Sequence, residues 1–250
     1  MPSRQSEMDY SDAMRRVRAA NLDVVLGGGP DREGGGTGPM LVLLHGFGAP
    51  GDDLVPLARQ LAVDHSVRFA FPAAPLALEA GPGAGRAWWH IDMLELQTAV
   101  MNNDLETLTG RAPAGLAEAR GAVEALLDAL EKDHGAARET LVLGGFSQGA
   151  MLSTDVTLHA ERPPAGLAIL SGSLIAKDEW RPLMKARAGL PVLQSHGRSD
   201  PVLSYAIAEM LRQELTQAGL QVEFIPFNGG HGIPNGAVDG LARLVTRATT

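Results

Sequence analysis

Short, nearly continuous apolar runs recur along this chain, and most are followed by a segment whose apolar residues fall at helical spacing. Residues 39–44 (PMLVLL) form the first clear run, the pattern of a strand buried on both faces. Leu54, Leu57, Ala58 and Leu61 follow at helical spacing, with Asp52 or Asp53 as N-cap. Residues 67–71 read as the next strand. Pro113 opens a helix to about residue 133, with Leu116, Val123, Leu127 and Leu130 on its apolar stripe. Strands over 140–143, 166–170, 190–194 and 221–227 then precede helices over 148–160, 179–186, 204–218 and 235–248. Repeated strand–helix alternation predicts an α/β fold, a mostly parallel central sheet with helices on both faces. In such a sheet the sites lie in the loops after the carboxyl ends of the strands.

The chain has 250 residues, 45% of them apolar, which suits one large domain with a sizeable core. The formal charge is −8 with no Lys/Arg block, so a nucleic-acid partner is not expected. There is no cysteine, which rules out a disulfide framework, a thiol nucleophile and thiolate metal sites. No stretch approaches the roughly 18 apolar residues of a membrane span, and residues 1–18 carry no apolar run of signal-peptide length. The expectation is a cytoplasmic protein without stable membrane insertion. Residues 1–38 are read as an N-terminal extension ending in a Gly-rich loop (27–38). Residues 39–250 are read as a single domain with a lid-like insertion at about 76–112.

After the strand ending at Leu143 comes Gly145-Phe146-Ser147-Gln148-Gly149. The G-x-S-x-G pattern is weak by itself, but here it sits at a strand-to-helix junction, where a nucleophile elbow must lie. Serine at the tip of so tight a turn is strained, and side chains two residues to either side would clash. The start of the following helix then presents N–H groups to developing negative charge.

A serine needs a base, and the base needs an orienting acid, in the chain order Ser, Asp or Glu, His. After Ser147 come His159, His196 and His231. His159 lies late in the nucleophile's own helix. His196 precedes the best acid candidate in the same loop, where it is expected to stabilise that loop by hydrogen bonding. His231, in Asn228-Gly229-Gly230-His231-Gly232 after the last strand, is the expected base. Asp200, followed by Pro201, is the expected acid and Asp178 its rival. His45-Gly46-Phe47-Gly48 follows the first clear strand, so the Phe47 and Gln148 N–H groups are expected to form an oxyanion hole. His45 is read as structural.

With these residues assembled, the chain resembles the phospholipase/carboxylesterase family of α/β-hydrolases, which includes the acyl-protein thioesterases. The matching pieces are Leu44-His45-Gly46-Phe47-Gly48, Phe71-Pro72-Ala73-Ala74-Pro75, Trp88 before Asp92, Gly145 to Ala150, His196-Gly197-Arg198-Ser199-Asp200-Pro201-Val202 and Gly230-His231-Gly232-Ile233. The likeness implies an α/β-hydrolase fold, a Ser147–Asp200–His231 triad and a Phe47/Gln148 oxyanion hole. It further implies hydrolysis of carboxylic esters, including lysophospholipids or thioesters, without metal or organic cofactor. Small-molecule or lipid esters would be the partners. Trp88, Trp89 and Met151 are candidate substrate-binding residues, with the tryptophans and methionines forming an adaptable apolar wall. Residues 91–111 have no residue-level match. They read equally well as an ordinary amphipathic connection or as a small cap over Ser147. A lactonase, an amidase or a non-catalytic binder on the same fold remain alternative readings.

Overall fold

The computed structural model describes residues 14–78, 85–102 and 104–248. Residues 1–13, the first part of the expected extension, and 79–84, within the expected insertion, lie outside the described residues.

In chain order the elements are β1 (Arg15–Ala19), β2 (Leu22–Gly28), β3 (Met40–Leu44), β4 (Arg68–Pro72), β5 (Leu76–Ala77), β6 (Arg86–Ala87), α1 (Met93–Met101), α2 (Leu105–Thr109) and α3 (Leu116–His134). There follow β7 (Leu141–Phe146), α4 (Gln148–His159), β8 (Gly166–Leu170), α5 (Lys177–Met184), β9 (Pro191–Gly197), α6 (Tyr205–Gln217), β10 (Gln221–Phe227) and α7 (Asn235–Arg247). Eight strands form one sheet in the order β1-β2-β4-β3-β7-β8-β9-β10, while β5 and β6 pair as a separate small ribbon. From β4 to β10 every pairing is parallel; β1–β2 and β2–β4 are antiparallel.

The continuous apolar runs follow from the layering. Along β3, Met40, Val42 and Leu44 join a core shared with α3, α4, α5 and α6. Leu41 and Leu43 point the other way, into a core shared with α7 and the 3₁₀ turn Val55–Arg59. A strand covered on both faces has no polar side, so its apolar run shows no alternation. α4 is the counterpart among helices. From Gln148 to Leu158 every residue is buried, and its Ser153, Thr154 and Thr157 hydroxyls are satisfied by carbonyls one turn back. This is an α/β-hydrolase fold.

Two expectations need correction. Residues 15–28 are not an extension, because β1 and β2 continue the central sheet and Leu22, Val24 and Leu26 enter its core. The helix expected around Leu54–Leu61 is a five-residue 3₁₀ turn, Val55–Arg59, with Leu54 rather than an aspartate at its N-cap position.

Candidate active site

β7 ends at Phe146 and α4 begins at Gln148, which leaves Ser147 alone at the junction with φ 54° and ψ −116°. A non-glycine residue holds such a backbone only where its surroundings over-determine it. The crowding is measurable. A Cβ on Gly149 would lie 2.0 Å from the Leu44 carbonyl oxygen, and one on Gly145 would lie 2.4 Å from the Gly149 carbonyl carbon. The Ser147 N–H donates to Leu170 O at 3.0 Å, pinning the turn to the neighbouring strand. Its hydroxyl makes no capping bond to α4. Gln148 occupies the first helical position, where the backbone N–H has no intrahelical acceptor.

The loops after β9 and β10 carry the acid and base candidates to one place. His231 Nδ1 lies 2.7 Å from Asp200 Oδ2, while Asp200 Oδ1 accepts the Val202 and Leu203 N–H groups at 2.8 and 3.0 Å. Backbone bonds from Arg198 N–H to Phe227 O and from Ser199 N–H to Gly229 O hold the two loops together. The His231 ring packs on Phe146, centroids 4.8 Å apart, so the imidazole adjoins the residue before Ser147. Ser171 Oγ donates to Gly232 O at 2.8 Å, tying the histidine loop to the end of β8. Burial by itself would raise the Asp200 carboxyl. The His231 bond and the Leu203 and Val202 N–H groups outweigh it and hold the group below the usual carboxylate range. The rival, Asp178, is exposed in the first turn of α5.

His196 belongs to the same cluster, in the loop-stabilising role expected of it. Its Nε2 is 3.0 Å from Leu203 O and 3.3 Å from Asp200 Oδ2. Both neighbours are acceptors, so Nε2 carries the proton. His159 instead turns to the Asp155 carbonyl within α4.

Gly46 packs against the elbow: a Cβ there would lie 3.4 Å from Ser147 Cβ. This brings the loop bearing Phe47 beside Ser147, at the N-terminus of α4. The loop is held from the other side by β6, through Gly48 N–H to Arg86 O at 2.9 Å and Arg86 N–H to Ala49 O at 3.0 Å. His45 sits buried below. Its Nε2 accepts the Ala74 N–H at 3.0 Å, which places its proton on Nδ1, donating to Gly46 O at 2.8 Å. Burial depresses its pKa below the ordinary 6.5.

A histidine held neutral in the fold stabilises it fully above the unfolded value, and that contribution is lost as pH falls from 6.5 toward the lower folded value. Urea unfolding of the wild type should therefore weaken across this window. His45→Gln, which has no proton to gain there, should show a shallower slope. Equal slopes would contradict the assignment.

The expected apolar wall takes a different form. Trp88, Trp89 and Met151 are all buried in the core shared with α3–α6. Interior partners make this possible for Trp88, whose indole N–H donates to His45 O at 3.0 Å and whose backbone N–H donates to Gln148 Oε1 at 2.9 Å. These three side chains are therefore part of the interior packing. Among the described residues, most of the exposed large apolar side chains lie further on, in α1 and α2, with Leu94 75% and Met101 86% exposed in α1. Asp92 caps α1 and Asp104 caps α2, and Lys177 at the start of α5 reaches Glu106 at 3.5 Å.

Asp155, which like His159 falls late in the nucleophile's own helix and so is not expected as the acid, is buried and takes a structural part. It accepts from Trp180 Nε1 at 2.8 Å and from Arg120 at 2.9 Å, tying α4 to α5 and α3. Its partners lie 25 and 35 residues away, so no local pattern announces them.

Among the described residues there is no group of three or more His, Asp or Glu side chains that could hold a metal ion. No helix among them is long and apolar enough to cross a membrane.

Residues 35–245 match the family model described as Phospholipase/Carboxylesterase. The chain is 30% identical over 174 residues to acyl-protein thioesterase 1 of Cryptococcus neoformans var. neoformans serotype D, covering 68% of this chain and 69% of that protein. It is 31% identical over 201 residues to acyl-protein thioesterase 1 of Mycosarcoma maydis, covering 74% and 80%. Among solved structures, that of esterase PE8 superposes with a TM-score of 0.72 at 23% identity, covering 94% of this chain and 98% of that one.

Proposed function

Since this chain belongs to the phospholipase/carboxylesterase family, we propose that its hydrolysis of carboxylic esters runs through an acyl-enzyme on Ser147. The observation that carries the proposal is the 2.7 Å bond between His231 Nδ1 and Asp200, formed beside the strained Ser147 elbow. Asp200 holds the imidazole with its proton on Nδ1, which leaves Nε2 as the acceptor for the Ser147 hydroxyl proton. Ser147 Oγ attacks the carbonyl carbon, and the developing oxyanion is received by the Phe47 and Gln148 N–H groups. His231 then protonates the leaving alcohol or thiol. Water attacks the acyl-enzyme by the same route and restores the serine.

The substrate class we assign is a small-molecule or lipid ester with an acyl chain, thioesters included. The two relatives named acyl-protein thioesterase support the thioester part of that reading. Acyl-group selection is assigned to the 76–112 insertion, which holds the most exposed large apolar side chains among the described residues. Rapid mixing with p-nitrophenyl esters of graded chain length, alongside matched thioesters, tests the proposal. The expected result is a burst of p-nitrophenol about equal to the enzyme concentration wherever deacylation is slower than acylation. Hydrolysis of lactones or amides with no turnover of either ester series would overturn it.

A further inference from the structure

The Gln148 side chain does not point to the reacting group its own N–H is placed to serve. Its Oε1 accepts the Trp88 N–H and its Nε2 donates to Trp89 O, both at 2.9 Å. Both functions of one buried amide thus grip a single dipeptide. That dipeptide ends a short strap that is bonded repeatedly to the Phe47 loop. At one end the Trp88 indole N–H donates to His45 O at 3.0 Å. At the other, Arg86 exchanges two backbone bonds with Gly48 and Ala49. The Arg86 guanidinium in turn grips the Ala74 carbonyl, and the Ala74 N–H donates to His45 Nε2. The strap therefore holds the loop on both sides of Phe47, and Gln148 holds the strap.

We propose that the Gln148 side chain is a positioning group that fixes the separation of the two oxyanion donors through the Arg86–Trp89 strap. The inference rests on the reading of Phe47 and Gln148 as those donors. The two N–H groups come from loops far apart in sequence, and a hole built from them works only if both meet the same oxygen at hydrogen-bond distance. The clamp starts on one donor's own residue and ends beside the other, so it sets their spacing directly. Changing the side chain leaves both N–H groups chemically intact, and any loss it causes is a loss of geometry.

Gln148→Met keeps the side-chain length without either bond, and Trp88→Phe removes the indole bond to His45 O, together with part of the buried ring, while keeping the Trp88 backbone bond to Gln148. For Gln148→Met, kcat for a p-nitrophenyl ester should fall about ten- to a hundredfold with KM nearly unchanged, less than the effect of deleting a donor outright. The Ki of a trifluoromethyl ketone, whose adduct with Ser147 carries the oxyanion, should rise in parallel with the loss of kcat/KM. Trp88→Phe should move the same quantities in the same direction by less. The double variant should lose less than the product of the two single losses. Either variant retaining wild-type kcat and Ki while folded, or raising KM at constant kcat, would overturn the inference, and Trp88→Phe decides it should Gln148→Met fail to fold. Failure of the underlying reading has its own signature. In that case the wild type itself would bind the trifluoromethyl ketone no better than the matching methyl ketone.

Discussion

Ser147→Ala is expected to lower kcat toward p-nitrophenyl esters by about 10⁶-fold, the scale on which a triad nucleophile acts. The variant should fold as the wild type does. The Ser147 hydroxyl caps nothing in α4, and the strained turn is held by main-chain contacts that alanine leaves in place, among them the Ser147 N–H to Leu170 O. Alanine has a Cβ just as serine has, so the cost of φ 54° is carried equally by both. Activity and stability are thereby separated. A thermal transition close to that of the wild type beside a rate near the uncatalysed background is the expected pair of results, and steady-state hydrolysis with a melting curve checks both.

Asp200→Asn is expected to cost about 10⁴-fold in kcat, roughly 5.5 kcal/mol of barrier. The reason lies in how the two carboxylate oxygens are used. Oδ1 is taken by the Val202 and Leu203 N–H groups, and Oδ2 faces His231 Nδ1 and the protonated Nε2 of His196. An asparagine there keeps its carbonyl oxygen on the two backbone donors, which forces its NH₂ toward His231. The imidazole must then accept on Nδ1 and carry its proton on Nε2, the wrong tautomer for taking a proton from Ser147. The same NH₂ meets the His196 N–H head-on, so some loss of stability accompanies the loss of rate. Asp178→Asn, altering an exposed carboxylate in α5, should leave kcat within about twofold of the wild type, as surface changes usually do. The reverse ranking, with Asp178→Asn inactive and Asp200→Asn active, would reassign the acid.

The parts of this molecule legible in sequence are those where one local rule decides the outcome. β8 at Gly166–Leu170 and β10 at Gln221–Phe227 have the bounds that their strand-like runs suggest. The elbow is legible because crowding leaves Gly145 and Gly149 little alternative. The meeting of Asp200 with His231 is legible because loops at strand ends are few and their order is constrained.

Elsewhere the deciding partner is remote. β9 runs past Gln194 to Gly197 through Ser195 and His196, polar residues whose burial no hydropathy pattern signals. β7 runs on through Gly144 and Gly145, glycines that read as punctuation until Ala168 and the elbow are seen packed against them. β1, with three arginines in RRVRA, has the polarity of an edge strand and so lacks the apolar run that marks its neighbours. Trp88 and Trp89, expected as part of an adaptable apolar wall, are buried in the core. Their burial follows from Gln148 and His45, some 60 and 43 residues away.

The central claim, that Ser147 is the group that becomes acylated, is tested most directly by covalent capture. The protein is treated with a fluorophosphonate, digested, and the adduct located by peptide mass. A single adduct on Ser147 in the wild type, with no labelling of Ser147→Ala, is the predicted result. An adduct on another residue, or labelling that persists in Ser147→Ala, would contradict the account.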